Sequence, residues 1–145
     1  LLVYSNLYTN IVTQYNIMIR RFFIMTRYQK GLQQLKKIDG EAGEAVISSL
    51  ENIAPDLGKY IIEFAFGDIY TRKELSLTER EIITLSSLLT TGSCEAQLKV
   101  HIQAALHIGI SPQKIIEIFM QCIPYTGFPK VLNAIFTAQQ LFSTL

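Results

Sequence analysis

The stretch Gly92-Ser93-Cys94-Glu95-Ala96-Gln97-Leu98-Lys99-Val100-His101 sets a thiol, an amide and an imidazole at helical spacing. A cysteine in the first turn of a helix faces unpaired amide N–H groups and the positive end of the dipole, which favour its thiolate and make Cys94 a candidate nucleophile. The commoner fate of a free cysteine is that of a small buried hydrophobe. His101 lies two helical turns further on, on the same face, with its backbone roughly 10 Å from that of Cys94 along the axis. Gln97 falls between them, where its amide can hydrogen-bond the imidazole and fix a tautomer. Cys94, Gln97 and His101 thus share a polar stripe. Leu98, Ala104 and Ala105 flank the histidine and leave room for a pocket, so a general acid or base is favoured there over a structural histidine.

Four more residues could serve such a site. Glu81 stands three residues after Thr78, the spacing of a capping box, and a capping carboxylate is the simplest reading of it. Arg72 and Arg80 bracket the loop before that helix, and either could clamp a carboxylate bidentately, although most arginines are simply solvated. Tyr125, in Tyr-Thr-Gly-Phe-Pro, could wall a pocket and offer a hydroxyl, though interface aromatics are commoner. No Walker loop, GxGxxG, HExxH or GxSxG accompanies these residues, so the usual nucleotide, zinc-protease and hydrolase signatures are absent.

The elements that must hold these groups read as helices. After Met25, apolar residues recur mostly at three- and four-residue spacing, with breakers where helices should end. A first helix runs through Tyr28, Leu32 and Leu35 to the turn signal Asp39-Gly40, and a short second one covers Glu41 to Glu51. Pro55 opens a third, Asp56 to about Arg72, whose face contains Tyr60, Ile61, Phe64 and Ile69; Gly67 within it suggests close helix packing or a weak point. The next starts at Thr78-Glu79-Arg80-Glu81 and stops at Gly92. Ser93 caps Cys94 to about Ile108, which Gly109 ends, and Ser111-Pro112 starts the one after. Tyr125 to Pro129 is a turn, and a last helix covers Val131 to Phe142. The expectation is an all-α single domain of roughly six or seven helices. Ile115 to Met120 and Val131 to Phe142 are apolar on more than one face, as in a helix buried centrally or against a second subunit.

Composition narrows the function. With 13 Lys+Arg against 12 Asp+Glu and no basic run longer than two, the chain offers no electrostatic footprint for nucleic acid. Polar residues interrupt the uncharged stretch before Arg20, so no membrane span is expected, and the basic residues follow that stretch rather than precede it, unlike a secretory signal. Two cysteines, Cys94 and Cys122, make neither a disulfide framework nor a zinc pattern, which suits a cytoplasmic protein. Residues 1–24 read as an N-terminal extension, with Met18 and Met25 as possible natural starts, and residues 25–145 as the domain.

Taken in order, Phe66-Gly67-Asp68-Ile69-Tyr70-Thr71-Arg72, Thr78-Glu79-Arg80-Glu81, Cys94 to His101 and Tyr125-Thr126-Gly127-Phe128-Pro129 resemble the carboxymuconolactone decarboxylase family, within the superfamily of alkylhydroperoxidase-D-like proteins. The resemblance spans about Met25 to the C-terminus and implies an all-helical fold and a homo-oligomer, a trimer or a hexamer built from trimers. Peroxidase-like members are similar at Glu81, Cys94 and His101, which in them form a proton relay. Here Gln97 occupies the place of their second cysteine, leaving a sulfenic acid on Cys94 without a resolving thiol. The decarboxylase branch, with its Gln-Leu-x-x-His pattern, matches better. It implies a small carboxylated lactone of aromatic-acid catabolism as substrate and no metal or organic cofactor. In that reading His101 donates or relays the proton, Arg72 or Arg80 orients the substrate carboxylate, with Gln97 and Tyr125 beside it, and Glu81 orients the basic partners. A thiol peroxidase using Cys94 and a non-catalytic oligomeric scaffold are the alternatives.

Overall fold

The computed structural model describes residues 11–15 and 25–143. Of the expected extension, 11–15 form an exposed helical turn, and the rest lies outside the described residues. Thr26 and Gln29 close a capping box at the start of α1 (Arg27–Leu50). Gly40 breaks that helix internally at φ 54°, ψ −137°, so the two expected helices exist as one run joined by a kink. Only glycine adopts such angles without strain. Leu35, Ile38 and Asp39 precede the kink, and all three are buried.

Pro55 opens α2 (Pro55–Tyr60), which passes directly into a π-helix, Ile61–Ile69. The wider winding changes which residues face inward. Tyr60 and Phe64, expected on the buried face, are 63% and 61% exposed, and Ile69 is also exposed, whereas Ile62, Phe66 and Gly67 are buried. Gly67 does mark close packing: a β-carbon there would lie 2.9 Å from the Arg27 carbonyl oxygen, and one on Gly31 would lie 1.9 Å from that of Ile62. Two glycines thereby let α1 and the π-helix touch backbone to backbone.

Ser76, not Thr78, caps α3 (Leu77–Thr91), with Glu79 completing the box. Overlapping Ser-x-x-Glu and Thr-x-x-Glu patterns compete here, and the earlier one carries the cap, which frees Glu81 to lie inside the helix. Gly92 ends α3 at φ 73° and Ser93 turns at φ 55°, so Cys94 rather than Ser93 takes the capping position of α4 (Glu95–His107). Ser111 caps α5 (Pro112–Gln121) through Lys114 N–H, as expected. The expected turn after it is a short helix, α6 (Ile123–Thr126), followed by Gly127 at φ 80° and α7 (Phe128–Phe142), which Pro129 lets begin earlier than Val131.

The described residues form helices and no strands. One core joins α3, α4, α5 and α7 through Leu85, Leu89, Ile102, Ile115, Phe119 and Ala134. A second joins α1, the π-helix and α4 through Leu35, Ile38, Ile62, Phe66 and Ala104. No helix among the described residues is long and apolar enough to cross a membrane.

Candidate active site

A cavity of about 490 Å³ opens between α1, the π-helix, α3 and α4. Its walls are mainly apolar, from Leu35, Val46, Ile47, Ile61, Ala65, Phe66, Ala96 and Val100, and its polar side chains are Asp39, Tyr70, Thr84, Gln97 and His101. That volume and that mix suit a small organic ligand oriented by a few polar groups.

Glu81 is the fixed point behind this wall. It is fully buried, 0% exposed, on the inward face of α3. A carboxylate so placed needs partners for both oxygens. His101 Nδ1–H donates to Glu81 Oε2 at 3.2 Å, and the Tyr70 hydroxyl donates to Oε1 at 3.0 Å. The Tyr70 ring stacks on Phe66 with centroids 5.1 Å apart, and its oxygen lies 2.9 Å from the hydroxyl of Thr84. Burial and the neighbouring charge of Glu81 push the Tyr70 hydroxyl well above its ordinary range, so it stays protonated and able to donate. With Nδ1 committed to Glu81, Nε2 is the imidazole nitrogen left for a ligand. Burial works against a charge on His101, yet the hydrogen bond and charge of Glu81, aided by Asp39, outweigh it and raise the imidazole above its ordinary 6.5. The arrangement is an imidazole held by a buried carboxylate that favours its protonated form, at the edge of an apolar cavity.

Asp39 completes the group. It is 6% exposed, and one acceptor atom from each of Asp39, Glu81 and His101 lies within 4.8 Å of the others. Its Oδ1 is buried without a hydrogen-bond partner among the described residues. Burial, reinforced by Glu81 and opposed by His101, pushes the Asp39 carboxyl from 3.8 up to about 6. Two carboxylates and an imidazole at this separation are also a donor set that could hold a metal ion.

Of the residues singled out from sequence, the structure brings Glu81, Gln97 and His101 to one place. Gln97 and His101 line the cavity, and Glu81 orients the histidine from behind. Cys94 lies on a separate, smaller cavity beside Lys130, and its thiol donates to the carbonyls of Gly92 and Leu88 at 3.1 and 3.4 Å. Arg80 is buried and turns its guanidinium to the Arg72 carbonyl at 2.8 Å, tying down the loop between them, so neither arginine lines the cavity. Tyr125 is 80% exposed on α6 and does not line it either. Leu98, Ala104 and Ala105, expected to border the pocket, are packed in the cores, and Ala96 and Val100 take that place. Sequence reasoning passed over Asp39, Tyr70 and Thr84 as site residues. The signal for Asp39 was present: it stands four residues after Leu35, on the apolar face of its helix.

The described residues thus place a buried carboxylate, hydrogen-bonded to a histidine at the edge of a cavity, on an all-helical scaffold. The sequence profile of the Carboxymuconolactone decarboxylase family matches residues 55–140, and the chain belongs to that family. It is 30% identical over 122 residues to a 4-carboxymuconolactone decarboxylase of Acinetobacter baylyi, an alignment covering 82% of this chain and 89% of the relative. It is 24% identical to a nitrosuccinic acid decarboxylase of Metarhizium robertsii, covering 81% and 82%. An uncharacterized 15.0 kDa protein of Paracoccus denitrificans is also 24% identical, covering 80% and 93%.

Proposed function

We propose that the protein is a decarboxylase acting on a small carboxylated lactone. The observation that carries this reading is His101, held by fully buried Glu81 and facing a largely apolar cavity of about 490 Å³. Family membership supports it, as do two relatives named as decarboxylases of different carboxylic acids. Their different substrates make the reaction type better supported than the particular acid, because sites on a common fold diverge.

Breaking the bond to a carboxylate releases carbon dioxide and leaves an electron pair that must delocalise toward an oxygen. A cationic donor aimed at that oxygen lowers the barrier, and more so where water is excluded. The His101 imidazolium supplies that donor through Nε2, and the Gln97 amide can add a second hydrogen bond. Neither Arg72 nor Arg80 lines the cavity, and His101 is the basic side chain among the described residues that does. Chemistry of this kind calls for no redox cofactor. The apolar faces of α5 and α7 support a homo-oligomer, a trimer or hexamer, as the working form.

The test is a side-by-side assay of purified protein for carbon dioxide release from 4-carboxymuconolactone and for thiol-dependent peroxide consumption. Release of carbon dioxide is the expected result. Peroxide consumption without it would replace this reading with a thiol peroxidase centred on Cys94.

A further inference from the structure

We propose that Asp39 is the acid that delivers the proton to carbon after carbon dioxide leaves, while His101 remains on the oxygen. The inference rests on the decarboxylase reading above and divides its work between two groups. A donor holding the developing oxyanion cannot at the same instant protonate a carbon elsewhere in the same molecule. His101 Nδ1 is already committed to Glu81, which leaves Nε2 with one task.

The second group must reach the same ligand, carry a proton and have that proton uncommitted. Asp39 meets these conditions. It lines the cavity from α1, within 4.8 Å of Glu81 and His101, and its Oδ1 has no hydrogen-bond partner among the described residues despite burial. A carboxyl kept only for structure would be hydrogen-bonded, because leaving it unpaired costs free energy. The titratable groups around it are Glu81 from α3, His101 from α4 and Tyr70 at the end of the π-helix; His107 packs against Gly40, and Lys36 and Glu44 of α1 pair with each other at the surface. An incoming substrate carboxylate favours the protonated acid by like-charge repulsion.

The step balances without another reactant. The bond between the carboxyl carbon and the ring breaks, and carbon dioxide departs. The electron pair is delocalised toward the carbonyl oxygen and returns to form a C–H bond with the Asp39 proton. Asp39 is left as carboxylate and is reprotonated from solvent. Carbon dioxide leaves as a neutral molecule, so the negative charge stays on the substrate, delocalised toward the oxygen that His101 holds, until the Asp39 proton neutralises it.

The test compares wild type with Asp39→Asn on the same lactone in deuterated water. The variant should lose 10²-fold or more in kcat with KM within about threefold, and the deuteron, placed on one face of the product carbon by wild type, should be scrambled. A structural role would not scramble it. Wild-type turnover and face selectivity in Asp39→Asn would overturn the inference and leave the decarboxylase reading intact, whereas a wild type that releases no carbon dioxide would remove both. Should the variant fail to fold, infrared spectroscopy of wild type with a bound lactone analogue must show a protonated Asp39 carboxyl near pH 6, and its absence would overturn the proposal.

Discussion

Replacing His101 with Asn keeps approximate size but removes a group that can hold a positive charge against a developing oxyanion. His101→Asn is therefore expected to lower kcat for decarboxylation by roughly 10²-fold or more, whereas Cys94→Ser, outside the cavity, should leave it within a few-fold. Steady-state kinetics on both variants checks this, and the opposite ranking would assign the chemistry to the thiol. Asp39 has a consequence for stability as well. Its carboxyl is raised on folding, so the stability it contributes is full below about pH 4 and is lost as pH rises through about 6. Asp39→Asn should accordingly gain on wild type as pH increases from 4 to 7, by up to about 3 kcal/mol, in urea titrations. How far these residues could be read in advance depended on their surroundings. His101 and Gln97 announced themselves by spacing on one helix. Glu81 was visible but open to a capping role, because two overlapping boxes occur in Ser76-Leu77-Thr78-Glu79-Arg80-Glu81 and only tertiary packing chooses between them. Asp39 hid behind Asp-Gly, which reads as a turn before it reads as an acid on an apolar face.

Among the elements, the helix boundaries set by local chemistry were the legible ones. Ser111-Pro112, Gly92 and Gly109 act through capping, fixed φ or positive φ, and each ends or starts a helix where its type predicts. The π-helix was not legible, since apolar periodicity assumes α winding, whereas the wider i→i+5 winding of Ile61–Ile69 leaves Phe64 exposed. That same winding carries Tyr70 to Glu81. The contact between α1 and the π-helix depends on Gly31, where an added methyl would meet the Ile62 carbonyl at 1.9 Å. Because backbone atoms on both sides must shift, Gly31→Ala should cost about 2 kcal/mol or more. Thermal unfolding measures that loss, and a variant as stable as wild type would mean the two helices can separate freely. Since α1 also carries Asp39, the surviving folded protein should show a lowered kcat.

For the whole molecule, one set of exposed apolar side chains lies on the last helices: Tyr125 at 80%, Phe128 at 67%, Phe136 at 54% and Leu132 at 48%. The apolar sequence of α7 already suggested a second buried side. Light scattering should find a trimer or hexamer, and Phe136→Glu should shift it toward smaller species, since a charge is costly in an apolar interface. A wild-type monomer at micromolar concentration would refute the assembly. The site itself is spread across the chain: Asp39 on α1, Tyr70 after the π-helix, Glu81 on α3 and His101 on α4, with no two of them on one helix. Such a site has no local version. A fragment or a partly melted state that keeps three of these segments loses the fourth functional group, so catalysis and cooperative unfolding report the same event. The denaturant midpoint for loss of turnover should coincide with that for loss of helicity. Inactivation well before the helices melt would reveal instead that α1, with its kink at Gly40, detaches as a separate cooperative unit.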